Sequence, residues 1–359
     1  MLLLLLYGCS EVINLNERQA GGELVIFGRL TDGTFGNYVN VTRTGPAGGL
    51  PVPVNGAIVR IADGRGNVQE LIPGDSGNYE LPPNFIFGQV GESYTLDVQV
   101  GEEHFITAPQ LMPENYGREE MSFEIREVES ISADGALFSD LVVSVFANTT
   151  FNELPEEFYL RWDIEEAFTY LGTPLPANHF TNFAPVQCYV IRDLNEQRIF
   201  LHNGAENRAT FVPDQLYVNR LIDESFEALH YFNLIRCSLS EETYDYWFRL
   251  DQTVNRQGSI FDVPPAPIPG NIFSTTTNEP ILGYFEVVNA DTTRLALTRN
   301  DVPFFVYDPC ALNGDDQFRE VMTVPRNCKQ CLVDRGIKPV DCIFCGFSPN
   351  NTGRRPSYF

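Results

Sequence analysis

Cysteines carry most of the chemistry that the residue types of this chain allow. Of the eight present, five lie in the last fifty residues: Cys310, Cys328, Cys331, Cys342 and Cys345. Two Cys-x-x-Cys pairs stand ten residues apart, which is a spacing that can hold a tetrahedral zinc ion in a small ribbon. In an oxidising compartment the same residues form disulfides instead. Thiol redox activity is a third alternative, although the βαβ context of a thioredoxin-like site is missing.

The first nine residues, M-L-L-L-L-L-Y-G-C, indicate which compartment applies. A leucine run followed by Leu6-Tyr7-Gly8-Cys9 is typical of a bacterial lipobox, in which the cut falls before the cysteine and the Cys9 sulfur receives a lipid. The apolar run is short for a secretory signal and no basic residue precedes it, so we expect the true start to lie upstream. No later segment is long and apolar enough to span a bilayer, and the covalent lipid is therefore the expected anchor.

Export to an oxidising compartment favours disulfides over zinc in the tail. We assign no metal ligands. We predict three disulfides, with the connectivity left open, among six cysteines: Cys188, Cys310, Cys328, Cys331, Cys342 and Cys345. Once Cys9 carries a lipid, an odd number remains, so one cysteine stays unpaired. Cys237 lies in an apolar stretch and is predicted to be that residue, acting as a small buried hydrophobe.

The other residues capable of acid–base or metal chemistry show no useful spacing. The four histidines lie far apart along the chain and are interpreted as ordinary structural residues: His104, His179, His202 and His230. The acidic pairs 156–157, 165–166 and 315–316 match no EF-hand loop and are interpreted as solvated surface charge rather than calcium ligands. Nucleophile elbows, zinc-protease motifs, phosphate loops and dinucleotide fingerprints are missing from the sequence. The sequence therefore predicts no catalytic residues and no cofactor other than the lipid on Cys9.

The charge balance excludes one class of partner. The chain carries 24 basic and 48 acidic residues, for a net charge of −24. Such a surface repels phosphate backbones, so nucleic acid is not expected as a partner, and the protein should meet the membrane through its lipid only. A hydrophobic content of 43%, with 27 Phe and 15 Tyr, is sufficient for real cores.

Hydrophobic alternation predicts a mainly β chain. Residues 1–9 are the signal remnant and residues 10–22 a polar tether. Residues 23–110 contain short strands separated by Gly and Asp turns, and Tyr94, Leu96, Val98 and Val100 alternate strictly with polar residues. We therefore predict an N-terminal immunoglobulin-like or carboxypeptidase-regulatory-like β-sandwich over 23–110.

A larger β-rich domain with one or few helices is predicted over residues 111–309, followed by a Cys-rich tail at 310–359. The clearest helix lies near 240–256, with Ser238 as its cap and Glu241 reaching back as in a capping box. Tyr244, Trp247 and Phe248 follow at helical spacing and are interpreted as a core stripe rather than a ligand platform.

These features together resemble the domain-of-unknown-function 4249 family of Bacteroidota lipoproteins. The resemblance extends over nearly the whole chain and is most specific at the helix S-E-E-T-Y-D-Y-W, residues 240–247, and at the segments 258–262, 270–272 and 282–285. The tail, with its cysteines and the ending R-P-S-Y-F, is also similar. This chain departs from the pattern in carrying Cys237 and in ending at Phe359, where tryptophan is expected.

The resemblance implies an outer-membrane lipoprotein of the kind often encoded near TonB-dependent receptors, and it supplies no catalytic residues. We expect a non-enzymatic accessory or ligand-binding subunit that binds a TonB-dependent barrel, anchored on the cell-surface or the periplasmic face. The alternative is a surface adhesin or a scaffolding protein of the cell envelope. An enzyme would require a deep pocket with converging titratable side chains.

Overall fold

The structure, a computed structural model, is mainly β, as the sequence predicts. It describes residues 22–33, 36–46, 49–82, 88–131, 135, 137–151, 153, 155–171, 187–195, 198–254, 268–302, 310, 314–326, 328–344, 351–352 and 355–359. The strands in these ranges are β1 Leu24–Thr31, β2 Tyr38–Arg43, β3 Val52–Pro53, β4 Ile58–Asp63, β5 Val68–Glu70, β6 Ile72–Pro73, β7 Asn78–Glu80, β8 Ser93–Val100, β9 Glu103–Thr107, β10 Gln110–Leu111, β11 Arg118–Ile131, β12 Leu137–Thr150, β13 Tyr159–Leu171, β14 Gln187–Asp193, β15 Phe200–Asn203, β16 Phe211–Leu221, β17 His230–Leu239, β18 Ile272–Ser274, β19 Leu282–Leu297 and β20 Asn351–Thr352.

Helices are few and short in the described ranges. They are α1 Glu241–Val254, α2 Gly314–Met322, α3 Gln330–Asp334 and α4 Val340–Ile343, with a 3-10 helix at Glu224–Glu227. None of them has the length and apolar content needed to cross a bilayer. The prediction of a β-rich chain with few helices and a cysteine-paired tail is confirmed.

The chain divides into two compact units. The first comprises Met1–Leu111 and Ala266–Val287, and the second comprises Met112–Pro265 and Val288–Phe359. The sequence predicted one continuous domain over 111–309, whereas the chain returns to the first unit at 266–287, where β18 pairs with β9 (Ile272 opposite Thr107). A three-residue strand carries no pattern that specifies its partner, so the sequence could not show this return.

The first unit contains strands of two antiparallel sheets, each with buried apolar side chains. One contains β1, β2, β3, β6 and β7 with the beginning of β19, and the other contains β4, β5, β8, β9, β10 and β18. The predicted alternation of β8 is observed, since Tyr94, Leu96 and Val98 are buried. On the other sheet, Ile26 of β1 and Val41 of β2 lie opposite each other and are both fully buried.

Backbone contacts in the first unit are close where β19 begins. Gly283 has a φ of +101°, and a Cβ there would lie 1.9 Å from the carbonyl oxygen of Ile26, so only glycine fits. Nearby, the Asn271 side chain donates to the Phe285 carbonyl at 2.7 Å and accepts from its amide at 2.8 Å. An amide side chain thus pairs with the strand as a neighbouring backbone would.

The second unit is built from a five-stranded path and a three-stranded sheet. The path runs β20-β14-β13-β17 and the end of β19, with β15 also on β13, and the smaller sheet runs β11-β12-β16. Its main core contains buried side chains from β12, β13 and β17, including Val145, Trp162 and Phe232. Met121, Phe123 and Ile125 of β11 pack against this core from its edge.

Helix α1 packs on the β13–β17 region through a second cluster. Tyr244 and Trp247 contact buried Tyr159, Cys237 and Leu239, and the Arg161 guanidinium lies 4.1 Å from the centre of the Trp247 ring. The helix occurs where predicted, and two of its three stripe residues pack as expected. Phe248 is 44% exposed, so the core interpretation is wrong for that residue.

The cap of α1 differs from the prediction. Ser240, not Ser238, accepts a hydrogen bond from the Thr243 amide at 3.2 Å. Ser238 is instead buried within β17, where it lies opposite Leu160 and Asn289. Strand pairing with both neighbours holds residue 238 in extended conformation, and the helix therefore begins two residues later.

Candidate functional site

The cysteine-rich tail folds as three short helices around a small core of its own. Val321, Val324, Leu332 and Ile343 form that core, between α2, α3 and α4. A disulfide joins Cys310 to Cys342, and another joins Cys328 to Cys331. The tail is therefore stapled by covalent bonds rather than by a large apolar interior.

The tail is fastened to the β13–β14 part of the sheet. Tyr170 on β13 donates its hydroxyl hydrogen to Cys310 Sγ, with oxygen and sulfur 2.9 Å apart. Cys188, which lies opposite Tyr170 on β14, is also disulfide-bonded. The next residue of β14, Tyr189, pairs with Thr352 of β20.

Two of the predicted cysteine sites, Cys9 and Cys345, lie outside the described residues. The sulfurs of Cys310, Cys328, Cys331 and Cys342 are bonded to one another in pairs and present no thiolate to a metal ion. Within the described ranges, no group of three or more His, Cys, Asp or Glu side chains is arranged to hold a metal. Cys237 is buried in the α1 cluster and forms no disulfide, and its sulfur lies 3.9 Å from Nη2 of Arg161.

The second unit contains a buried charge network around Glu166 on β13, which we call the Glu166 network. Arg220 of β16 contacts Glu166 at 2.7 Å, Arg192 of β14 forms a second ion pair, and His230 Nε2 lies 2.9 Å from Oε2. Arg220 also reaches Asp223 at 2.8 Å. Residues from β14 and β17, which flank β13, and from β16 of the smaller sheet thus meet on one carboxylate.

This environment keeps Glu166 ionised. Burial would raise the pKa of the Glu166 carboxyl, but the hydrogen-bonding contact from His230 and the charges of Arg220, His230 and Arg192 lower it to about 2. The His230 ring is stacked between Phe226 and Phe168, with ring centres 4.1 and 5.3 Å away. Glu166 and His230 are both fully buried, so this Glu–His pair is closed to a substrate and acts as a structural clamp.

A second buried ion pair joins Arg236 of β17 to Glu119 of β11. Arg236 Nη1 lies 3.2 Å from Glu119 Oε1, and the Trp162 indole donates to the same oxygen at 3.4 Å. Burial raises the pKa of Glu119, against the lowering effect of the Arg236 charge. The guanidinium also contacts Asn115 and, at 3.2 Å, the half-exposed Asp291. This pair connects the smaller sheet to the larger one across the core.

Tyr358 and Phe359 contact a group of three side chains that we call the C-terminal dock, formed by Tyr231, Asn233 and Arg294. Tyr231 donates to the Tyr358 carbonyl at 2.9 Å, and Asn233 donates to the Tyr358 hydroxyl at 3.2 Å. The Arg294 guanidinium lies 4.0 Å from the centre of the Tyr358 ring. Phe359 packs edge-on against Tyr231, with ring centres 5.0 Å apart.

The interpretation of the acidic pair 165–166 as solvated charge is wrong. Glu166 belongs to the buried network, while Glu165, on the other side of β13, accepts from Asn233 at 2.9 Å, and burial raises the pKa of its carboxyl. The sequence did contain a signal, because Trp162, Ile164 and Phe168 continue the alternation of one strand through this pair. In contrast, both residues of the pairs 156–157 and 315–316 are exposed.

The histidines occupy unrelated environments. Nε2 of His104 lies 2.7 Å from Oδ2 of Asp97 in the first unit, while His202 and His230 are buried at different places in the second. Burial lowers the pKa of His202. His179 lies outside the described residues. The described histidines therefore contribute to no common site.

One comparison with known proteins gives a match. The model of a family described as Domain of unknown function (DUF4249) matches residues 10–294, which is more than half of the chain. Neither the curated proteins nor the solved structures contain a significant match.

Proposed function

We propose, from the premise that this chain belongs to the DUF4249 family, that it is a lipid-anchored accessory or ligand-binding subunit of a TonB-dependent transport system in the outer membrane. In this proposal Cys9 carries the lipid, and the folded units outside the cytoplasm contact a barrel partner. The protein itself catalyses no reaction.

The observation that carries the location is the oxidised state of the tail. The Cys310–Cys342 and Cys328–Cys331 bonds would be reduced in a cytosol but persist in an exported protein. They agree with the lipobox at Cys9, which is a signal at the opposite end of the chain. Two independent features thus support the same compartment.

A binding role is supported over an enzymatic one by where the titratable groups lie. The Glu166–His230 pair resembles an acid–base pair in composition, but both side chains are fully buried and bonded within the protein. The Glu119–Arg236 pair is likewise enclosed, with side-chain exposures of 1%. Groups used in this way stabilise a fold and are not free to exchange protons with a substrate.

A surface adhesin or scaffold is the second candidate, and exposed aromatic side chains favour it. Phe211, Phe248 and Phe318 are 51%, 44% and 44% exposed. Aromatic rings that stand in solvent are typical contacts for glycans or neighbouring proteins. Binding of the purified protein to a glycan array, with no transporter present, would support this candidate.

The test is extraction of the native membrane in a mild detergent with chemical cross-linking, followed by mass spectrometry of the proteins attached to this chain. A stoichiometric TonB-dependent barrel is the expected result. A Cys9→Ser variant, which cannot receive the lipid, is the control for anchoring and should leave the membrane fraction. If the wild-type chain is extracted alone, the transport proposal fails and the adhesin becomes the better candidate.

A further inference from the structure

The β11–β12 hairpin extends beyond the strand that supports its base. β16 pairs with β12 from Thr150 to Val142, whereas β11 and β12 stay paired as far as Ile131 opposite Leu137. Residues 128–131 and 137–140 therefore form a two-stranded extension, which we call the β-arm. At about 3.4 Å per residue, it projects roughly 13 Å past the end of β16.

The side chains of the β-arm do not continue the core of the second unit. Ile125 of β11 packs against that core, and strand alternation places Glu127, Glu129 and Ile131 on the same face. Ile131 and Leu137 lie directly opposite each other and are 74% and 64% exposed. Two carboxylates thus separate this apolar pair from the core, and it buries nothing within the described chain.

Exposed apolar side chains on such an arm lower the stability and the solubility of a protein that has no binding partner. A two-stranded ribbon without a third strand is marginally stable in water, and polar residues at its end would be more soluble. Apolar side chains at the end of a projecting element are instead the usual anchors of a protein–protein contact, because they enter a pocket of the partner and lose their water there.

The charge of the hairpin indicates what kind of partner fits. Residues 127–141 include Glu127, Glu129 and Asp140 but neither Lys nor Arg. A second copy of this chain would bring like charges together and is disfavoured, whereas a partner surface with basic side chains around an apolar pocket is complementary.

We propose that the β-arm is the docking element of this protein, with Ile131 and Leu137 inserted in an apolar pocket that basic residues of the partner surround. The identity of that partner rests on the function proposed above, which makes it the TonB-dependent barrel. The carboxylates of Glu127 and Glu129 pair with the basic rim and set the orientation of the arm.

The test compares two variants of the full, lipidated chain in native membranes. Ile131→Ser with Leu137→Ser removes the apolar pair, and Leu50→Ser with Val68→Ser is the matched control, since those first-unit residues are 87% and 61% exposed. The readout is the amount of barrel protein per lipoprotein after mild-detergent extraction. We expect the arm variant to lower it by at least about tenfold, because buried anchors dominate binding, and the control to leave it unchanged.

A third variant, Glu127→Lys with Glu129→Lys, tests the charge. This variant should lower the amount of barrel protein per lipoprotein, and the decrease should grow as the ionic strength falls, because the repulsion between like charges is then less screened. The docking proposal is overturned if the wild type and the arm variant retain equal amounts of barrel, and the proposed function then still stands. A wild-type chain extracted without a barrel overturns the proposed function and this docking role together. Unchanged tryptophan fluorescence of the variants shows that the second unit remains folded.

Discussion

The two units of this protein keep their charged side chains in opposite places. In the first unit, Arg60 and Glu70 pair across neighbouring strands with 36% and 60% of their side chains exposed. In the second, Glu166 and Arg236 are at most 1% exposed and lie inside the core. The first unit also contains a largely buried pair, Arg29 with Glu286, whose side chains are 13% and 0% exposed. The buried ion pairs around Glu166 and Arg236 therefore make charge pairing a larger part of the interior of the second unit than of the first.

The contribution of an ion pair to stability depends on whether water reaches its two charges. An exposed ion pair adds little to the free energy of unfolding, since water stabilises the two separate charges nearly as well as the charges stabilise each other. A buried pair adds little net stability over an apolar replacement, but the loss of one partner leaves a charge in a medium that cannot solvate it. The second unit should accordingly be the more sensitive to single substitutions of charged residues.

The largest effect is expected for Glu166→Ala. It leaves Arg220, Arg192 and His230 without their common carboxylate and should cost about 3–5 kcal/mol of the free energy of unfolding. Urea unfolding followed by tryptophan fluorescence measures this cost. The signal reports on the second unit, because both tryptophans, Trp162 and Trp247, belong to it. Glu70→Ala is the matched control; because the first unit contains no tryptophan, its unfolding is followed by far-ultraviolet circular dichroism, and the substitution should cost at most about 1 kcal/mol. Equal costs for the two variants would remove the contrast between the units.

The next largest loss of stability is expected when the disulfides of the second unit are removed. Residues 10–111 contain no cysteine. Replacing Cys310 and Cys342 with Ser opens a loop of 32 residues and should cost about 3–4 kcal/mol, whereas replacing Cys328 and Cys331 opens one of 3 and should cost about 1.5 kcal/mol. Thermal unfolding of the two double variants checks the order. A larger loss from the shorter loop would contradict the chain-entropy argument.

Acid should weaken the Glu166 network. The pKa of Glu166 is about 2 in the folded protein and 4.5 ordinarily, so the group binds protons more weakly when folded. The stability it contributes is therefore complete above pH 4.5 and is lost as the pH falls toward 2, by about 3 kcal/mol in total.

Glu166→Gln isolates this contribution, since the variant has no carboxyl to protonate at that position. Burial raises the pKa values of Glu119 and Glu165, which act in the opposite direction and are common to both proteins. Unfolding free energies measured at several pH values should converge for the wild type and the variant as the pH falls. If the difference in unfolding free energy between the wild type and the variant stayed constant over the pH range, Glu166 would not be the titrating group.

The smallest effect is expected for Arg60→Ala on the first unit. The pairs with Glu70 at 3.1 Å and Asp97 at 3.9 Å are solvent-exposed, so their loss should cost about 0.2–1 kcal/mol. Because salt screens exposed charges, the cost should fall further at 1 M salt. Denaturation followed by far-ultraviolet circular dichroism at two salt concentrations measures the cost of this substitution. A salt-independent loss above about 2 kcal/mol would contradict the proposed difference between exposed and buried ion pairs.

The same contrast explains where sequence reasoning succeeded. In the first unit, the alternation of Tyr94, Leu96 and Val98 predicted a half-buried strand, and the structure contains it as β8. In the second unit, Glu165 and Glu166 were assigned to the surface from their charge, because a charged side chain usually marks a solvent-facing position. Their partners, Asn233 and Arg220, are more than fifty residues away, so no local pattern revealed that the charges are paired inside.

The sequence by itself determined the features that depend on neighbouring residues. These are the mainly β character, the helix near residues 240–256, the family and the candidate cysteines. The tertiary structure decided the features that depend on distant residues: the return of 266–287 to the first unit, the pairing of Cys310 with Cys342, and the burial of Glu166 among three strands. The physical reason is that alternation and propensity act over a few residues, whereas strand partners, disulfide connectivity and the solvation of a charge are set by the whole chain.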